Sequence, residues 1–195
     1  ENGELEAALE SYQRSLEVYR AERGQWSPKL VPVLRGLGAT HQELDRHRDA
    51  LRHFSRALYL TRMNSGLHDL GQLPVLSEMI ESRLALEQWE QVQKLQERVY
   101  LVRRQAHGAD NPDLVPALYD LAEWYQESGQ VAQARSLYEQ AVELIETHHG
   151  ENDPRLVPAL KGIAAAIKRE RYPVASAERE GGGFEVTTSA ASGSM

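Results

Sequence analysis

The residues that could do chemistry in this chain are its 7 histidines and 29 carboxylates, so any active constellation has to be found in spacing rather than in count. The densest histidine pair is His148-His149. Adjacent residues of a helix point about 100° apart, so these two rings do not converge on one tetrahedral ion. No His-x-x-x-His or His-Glu-x-x-His spacing occurs either. Beside Gly150 the imidazoles suit the negative end of a helix dipole, as do Arg23 before Gly24 and His107 before Gly108. The run "GLGATH" at 36–41 has the glycine spacing of a dinucleotide-loop fragment, but no strand-like segment precedes it. No Gly-x-Ser-x-Gly elbow, phosphate-binding loop or cysteine nucleophile is present, and the carboxylates fall on solvated faces. The chain is therefore not expected to be an enzyme, and no catalytic, cofactor-binding or metal-binding set is assigned.

The elements that carry these residues follow a strict period. Pro32, Pro74, Pro116 and Pro158 lie 42 residues apart, as do Gly24, Gly66, Gly108 and Gly150, and the small residues Ala8, Ala50, Val92 and Ala134. "LVPAL" occurs twice, at 114–118 and 156–160. A period of this size indicates stacked units, each burying its apolar face against its neighbours. Within a unit the apolar spacing is helical: Leu118, Leu121, Ala122 and Tyr125 form one stripe, and Ala134, Tyr138, Ala141 and Val142 another. Each unit reads as a helix A, a short turn, a helix B and a loop. The spacing predicts helices at about 4–23, 29–44, 47–64, 72–87, 89–106, 113–128, 131–148 and 155–170, an all-α array of about eight helices. Pro116 is best tolerated in a first turn, where its missing N–H has no intrahelical partner. That favours a start near Asp113 over one at Pro112 capped by Asn111. Glycine just past each B helix is expected to close the last turn in the left-handed conformation.

The net charge of −7 and pI near 5.5 argue against a general nucleic-acid or anionic-membrane surface. No apolar run approaches the ~20 residues that span a bilayer. The absence of cysteine fits a reducing cytosol and a cell envelope equally. "ENGELEAALE" does not read as a signal peptide, and the missing Met and mid-repeat start suggest a fragment of a longer protein.

The pattern of Ala, an aromatic four residues on and Ala three further, at Ala8-Tyr12-Ser15, Ala50-Phe54-Ala57 and Ala134-Tyr138-Ala141, resembles the tetratricopeptide repeat. Val92-Gln96-Val99 is a degenerate copy, and "LGATH" and "LAEWY" match the other half of the motif. The 42-residue period, longer than the usual 34, and "HGADNPDLVPALYDLAEWYQESGQ" are similar to the long repeats of kinesin light chains and many bacterial proteins. The resemblance implies a right-handed α-solenoid of antiparallel helix pairs over residues 1–171, whose concave face is lined by A helices and holds a peptide or partner segment. Carried over by position, the groove receives Arg35, Ser77, Tyr119 and Lys161, then Ala39, Glu81, Glu123 and Ala165, then Gln42, Leu84, Gln126 and Lys168. The Asn-Asn pair of kinesin light chains is replaced here by Arg35-Gly36, Ser77-Glu78, Tyr119-Asp120 and Lys161-Gly162, so that mode of holding a ligand backbone is not carried over.

The expected partner is a protein or peptide, bound without catalysis. The mixed charges of the groove suit a ligand of both signs. The alternative expectation is a structural or self-assembly module, since incomplete units at both ends expose apolar faces. Trp89 and Trp124 are expected to pack between helices, and Trp26, in a loop, to serve as a rim contact. From Tyr172 the repeat fades into a tail, 172–195, with the composition of a linker. Its "RYPVASAEREGGGFEV" resembles the opening of TonB C-terminal domains, which implies a cell-envelope parent. With little apolar surface of its own to offset the entropy of ordering, Phe184 to Thr188 is expected to dock on the array or a neighbouring molecule.

Overall fold

The computed structural model of the chain describes residues 2–171. Among the described residues there are eight α-helices: α1 (Asn2–Arg23), α2 (Leu30–Glu43), α3 (His47–Ser65), α4 (Leu73–Ala85), α5 (Trp89–His107), α6 (Val115–Glu127), α7 (Val131–His149) and α8 (Leu156–Arg171). The even-numbered helices are the A helices and the odd-numbered the B helices. Each packs on the next in chain order, which makes an all-α repeat array. The tail lies outside the described residues, and with it the expectation of a docked strand.

The period extends to the turns. Every A helix is led in by a side chain at one repeat position: Ser27 Oγ, Asp69 Oδ1, Asn111 Oδ1 and Asp153 Oδ1 accept from the N–H two residues on, at 3.3, 2.9, 2.8 and 2.9 Å. The expected start near Asp113 is corrected by this geometry. Asn111 does cap, but it caps a single 3₁₀ turn, Pro112–Leu114, and the α-helix begins only at Val115. Pro116 is then the second helical residue, where no intrahelical bond is lost. The expectation for the glycines is corrected too. Gly66, Gly108 and Gly150 combine φ of 97, 91 and 89° with ψ of 170, 157 and 164°, an extended mirror-image conformation open essentially to glycine alone, not the left-handed helical one. The helix-closing positive φ falls instead in the A–B turns, at Asp45, Glu87 and Gly129, again 42 residues apart. There the next N–H reaches five residues back, Arg46 to His41, Glu87's neighbour Gln88 to Arg83 and Gln130 to Tyr125, at 2.8, 2.9 and 2.7 Å.

The core runs between the helices as two main blocks. One spans Leu9 to Val99 and includes Leu34, Leu37, Phe54, Leu60 and Leu76. The other spans Leu114 to Ala159, with Leu118, Tyr138 and Ala141. Fully burying an aliphatic or aromatic side chain of this size contributes about 1.5–3 kcal/mol, so each block supplies its own adhesion. The aromatic of the repeat motif lies against glycine: Tyr12 on Gly36, Phe54 on Gly38 and Tyr138 on Gly162. A Cβ on those glycines would fall 2.5, 2.2 and 2.4 Å from the ring.

Candidate functional site

The A helices approach one another directly at two points of the array. Helix α2 approaches α4, and α6 approaches α8, whereas among the described residues no B helix approaches another. A face shared by successive A helices is therefore the natural surface for an extended ligand.

The expected groove residues divide into three groups. Arg35 and Gln42 are committed to holding α2 against α4. The Arg35 guanidinium donates through Nε to both oxygens of Glu78 at 3.0 Å and through Nη2 to Oε1 at 2.5 Å, and this pairing raises its pKa. Gln42 Nε2 donates to the Glu78 carbonyl and to Ser82 Oγ, both at 2.9 Å. Tyr119 and Gln126 form a second, half-buried group. The Tyr119 hydroxyl donates to the Arg155 carbonyl at 2.6 Å, its ring centroid lies 6.2 Å from that of Tyr138, and burial pushes its pKa up. The Gln126 carbonyl accepts from Arg169 Nη1 at 2.5 Å, while its Oε1 is buried without a partner. The third group, Ser77, Glu81, Glu123, Lys161 and Lys168, is exposed. None of the five has a side-chain hydrogen bond or ion pair to another described residue. Burial, followed by repulsion from Asp120 and Glu127, raises the pKa of the Glu123 carboxyl.

Tyr119 and Glu123 line one cavity of about 580 Å³, walled by the first turns of α6 and α8 and the end of α7. Its other members, Asp113, Pro116, Asp120, Arg155 and Pro158 among them, were not expected from the sequence. The signal available was the proline period, which sets Pro116 and Pro158 at equivalent points of neighbouring A helices.

The other candidates resolve locally. His148 Nε2 lies 2.7 Å from the Asp110 carbonyl, tying the end of α7 to the preceding loop. Trp89 and Trp124 pack with centroids 6.3 Å apart where α5 meets α6. Trp26 is half exposed and stacks under the Arg56 guanidinium at 4.6 Å, on the B-helix side rather than on the rim of the A face. Among the described residues no three His, Cys, Asp or Glu groups gather as a metal site, and no helix is long and apolar enough to cross a membrane.

An array of stacked helix pairs with exposed, unpaired polar side chains on its A helices is the architecture of a helical-repeat interaction scaffold. A family model for the tetratricopeptide repeat matches residues 1–62 and 72–147, and the chain belongs to the tetratricopeptide repeat family. Among solved structures it resembles a Podosopora anserina protein named for kinesin light chain, with nearly identical TPR-like repeats, at 18% identity and a TM-score of 0.66, covering 87% of this chain and 81% of that one. It also resembles BtubC (BKLC) from P. vanneervenii at 16% identity and a TM-score of 0.60, covering 98% and 82% respectively. At these identities the likeness concerns the fold. No curated protein matches the chain in sequence.

Proposed function

We propose that the chain is a non-catalytic scaffold whose A-helix face binds an extended segment of a protein partner. The array over residues 1–171 does the binding, and 172–195 connects it onward or docks upon it. The observation that carries this reading is the row of exposed, unpaired side chains Ser77, Glu81, Glu123, Lys161 and Lys168 on successive A helices. Held on rigid helices, such groups select a ligand by side-chain polarity while many modest contacts supply affinity. Arg35 and Gln42 act from beneath, fixing the spacing of α2 and α4, and Tyr119 and Gln126 set that of α6 and α8.

Panning a randomised peptide display library against the purified chain tests the reading. The expected result is a set of peptides whose binding is lost in Glu81→Lys/Glu123→Lys and retained in Arg56→Ala/Met63→Ser, which alters the B-helix side. Peptides indifferent to the first pair, or no enrichment at all, would contradict it. Tyr119→Ala is unsuited to this test, because its half-buried ring and hydroxyl join α6 to the start of α8.

A second reading, assembly through the ends of the array, is favoured by one observation. Tyr12, Val18 and Tyr19 on α1 and Val157, Leu160 and Ile167 on α8 are exposed. The positions 42 residues away, such as Phe54 and Leu60 for α1 and Leu118 for α8, are buried beneath a paired helix. Sedimentation showing self-association that Leu160→Glu abolishes would support this reading. A monomer at all concentrations would end it.

A further inference from the structure

The cavity lined by Tyr119 and Glu123 has a composition that selects one kind of side chain. Its walls are apolar, formed by Val115, Pro116, Pro158 and the Tyr119 ring, whose hydroxyl is already spent on the Arg155 carbonyl. Its rim carries three carboxylates: Asp113, Asp120 and Glu123. Asp113 and Glu123 have no side-chain partner among the described residues, and Asp120 reaches Arg103 only at 4.0 Å. The one guanidinium in the lining, Arg155, does not neutralise them. Its Nε and Nη2 donate to the two oxygens of Asp153 at 2.8 and 2.9 Å, an arrangement that uses its planar fork and holds Asp153 well below the usual carboxylate pKa. Repulsion from Asp120 adds to the burial that lifts the pKa of Glu123, the response of a carboxylate lacking a nearby cation.

From this geometry we infer that the cavity is a subsite for the side chain of an arginine or lysine in the bound segment. The inference rests on the peptide-binding reading above. A basic side chain presents an aliphatic stem and a charged head, which matches apolar walls beneath an acidic rim. A purely apolar side chain would cover the three carboxylates without pairing them, and an acidic one would be repelled. A bare divalent ion does not fit either, since no three of the acidic groups gather at ligand spacing. Arginine is favoured over lysine, because its fork reaches two separated carboxylates and its plane stacks on the Tyr119 ring. The net charge of −7 assists by drawing a basic segment toward the array.

The test uses the full chain and two small probes, N-acetyl-arginine amide and its uncharged counterpart N-acetyl-norleucine amide, followed by NMR. The arginine probe is expected to shift Tyr119, Val115 and Ile145 saturably, and the norleucine probe to do so far more weakly. Asp113→Asn/Glu123→Gln, which changes two exposed side chains and leaves the walls intact, is expected to weaken the arginine probe by roughly ten-fold with an unchanged circular dichroism melting curve. Equal shifts from the two probes, or no dependence on the two carboxylates, would overturn the subsite. The outcome separates the two levels of the reading. Panned peptides that need the A face but carry no basic residue, and ignore Asp113→Asn/Glu123→Gln, sink the subsite and leave the groove. An arginine probe that binds here while no peptide depends on the A face sinks the groove and leaves the subsite.

Discussion

Joints of the array are built from two opposite materials. Where α1 meets α2 and α7 meets α8, an aromatic ring lies directly on a glycine, Tyr12 on Gly36 and Tyr138 on Gly162. Where α5 meets α6, the equivalent repeat positions are Gln96 and Asp120, and hydrogen bonds accompany the Trp89–Trp124 packing there. Tyr125 donates to Glu97 at 2.9 Å, Gln130 to Gln93 at 2.8 Å, and Arg103 lies 4.0 Å from Asp120. The core clusters separate here, bridged by Tyr100 on one side and Trp124 on the other, and α4 does not approach α6 as α2 approaches α4. A period thus repeats the helices without repeating the strength of their junctions. An aromatic and a glycine 24 positions apart mark the α1–α2 and α7–α8 joints, whereas at α3–α4 the same positions hold Phe54 and Glu78 and the core still runs through. Each net hydrogen bond adds only about 0.5–1.5 kcal/mol.

The comparison predicts the largest effects at the aromatic positions. Phe54→Ala, emptying a fully buried site, is expected to cost about 3–5 kcal/mol, whereas Gln96→Ala at the equivalent position should change stability by under about 0.5 kcal/mol. Chemical denaturation of the two variants measures the contrast, and similar losses would erase it. Gly162→Ala comes next. Its Cβ would meet the Tyr138 ring at 2.4 Å, an overpacking of about 1–3 kcal/mol, while Asp120→Ala is expected to be close to neutral. Rebuilding the weak joint sharpens the point. Asp120→Gly alone should lose only about 0.3 kcal/mol to helix propensity, since aspartate is already a weak helix former, and a double-mutant cycle with Gln96→Tyr should return a favourable coupling of about 1 kcal/mol. Strict additivity would show that the aromatic-on-glycine pair does not account for the difference.

The smallest expected effect is one of pH, in the first block. His41 and His53 stack with centroids 5.3 Å apart, and burial lowers the pKa of both. The unfolded chain binds their protons at about 6.5, above the folded values. The contribution of the pair is therefore complete above that pH and declines as pH falls through it. Melting temperatures at pH 7.5 and 5.5 should differ by more in the native chain than in His41→Gln/His53→Gln.

Helix number and placement were legible because period and apolar spacing depend on the same burial that the fold achieves. The expected 89–106 and 131–148 are found as Trp89–His107 and Val131–His149. The ends were less legible. Ser27, Asp69, Asn111 and Asp153 are of three types, so their common period was hidden, although each offers a side-chain oxygen to a backbone N–H two residues on. The glycines advertised a positive φ but not the ψ that accompanies it. Of the candidate site, the face could be read from one repeat position at a time. Its internal pairing could not: Arg35 is claimed by Glu78, a residue of the next unit, and the cavity gathers side chains from α6, α7 and α8. Such encounters depend on how far one unit is rotated against the next, which no single unit encodes.

The division into two blocks can be read amide by amide in native-state hydrogen exchange at low denaturant. Amides of α6, α7 and α8 should share one opening free energy and those of α2, α3 and α4 another, with the step between them falling at the α5–α6 joint. A single opening free energy from α2 to α8, or a step placed at the Tyr138–Gly162 joint instead, would contradict the claim that junction chemistry sets the strength of each contact in the array.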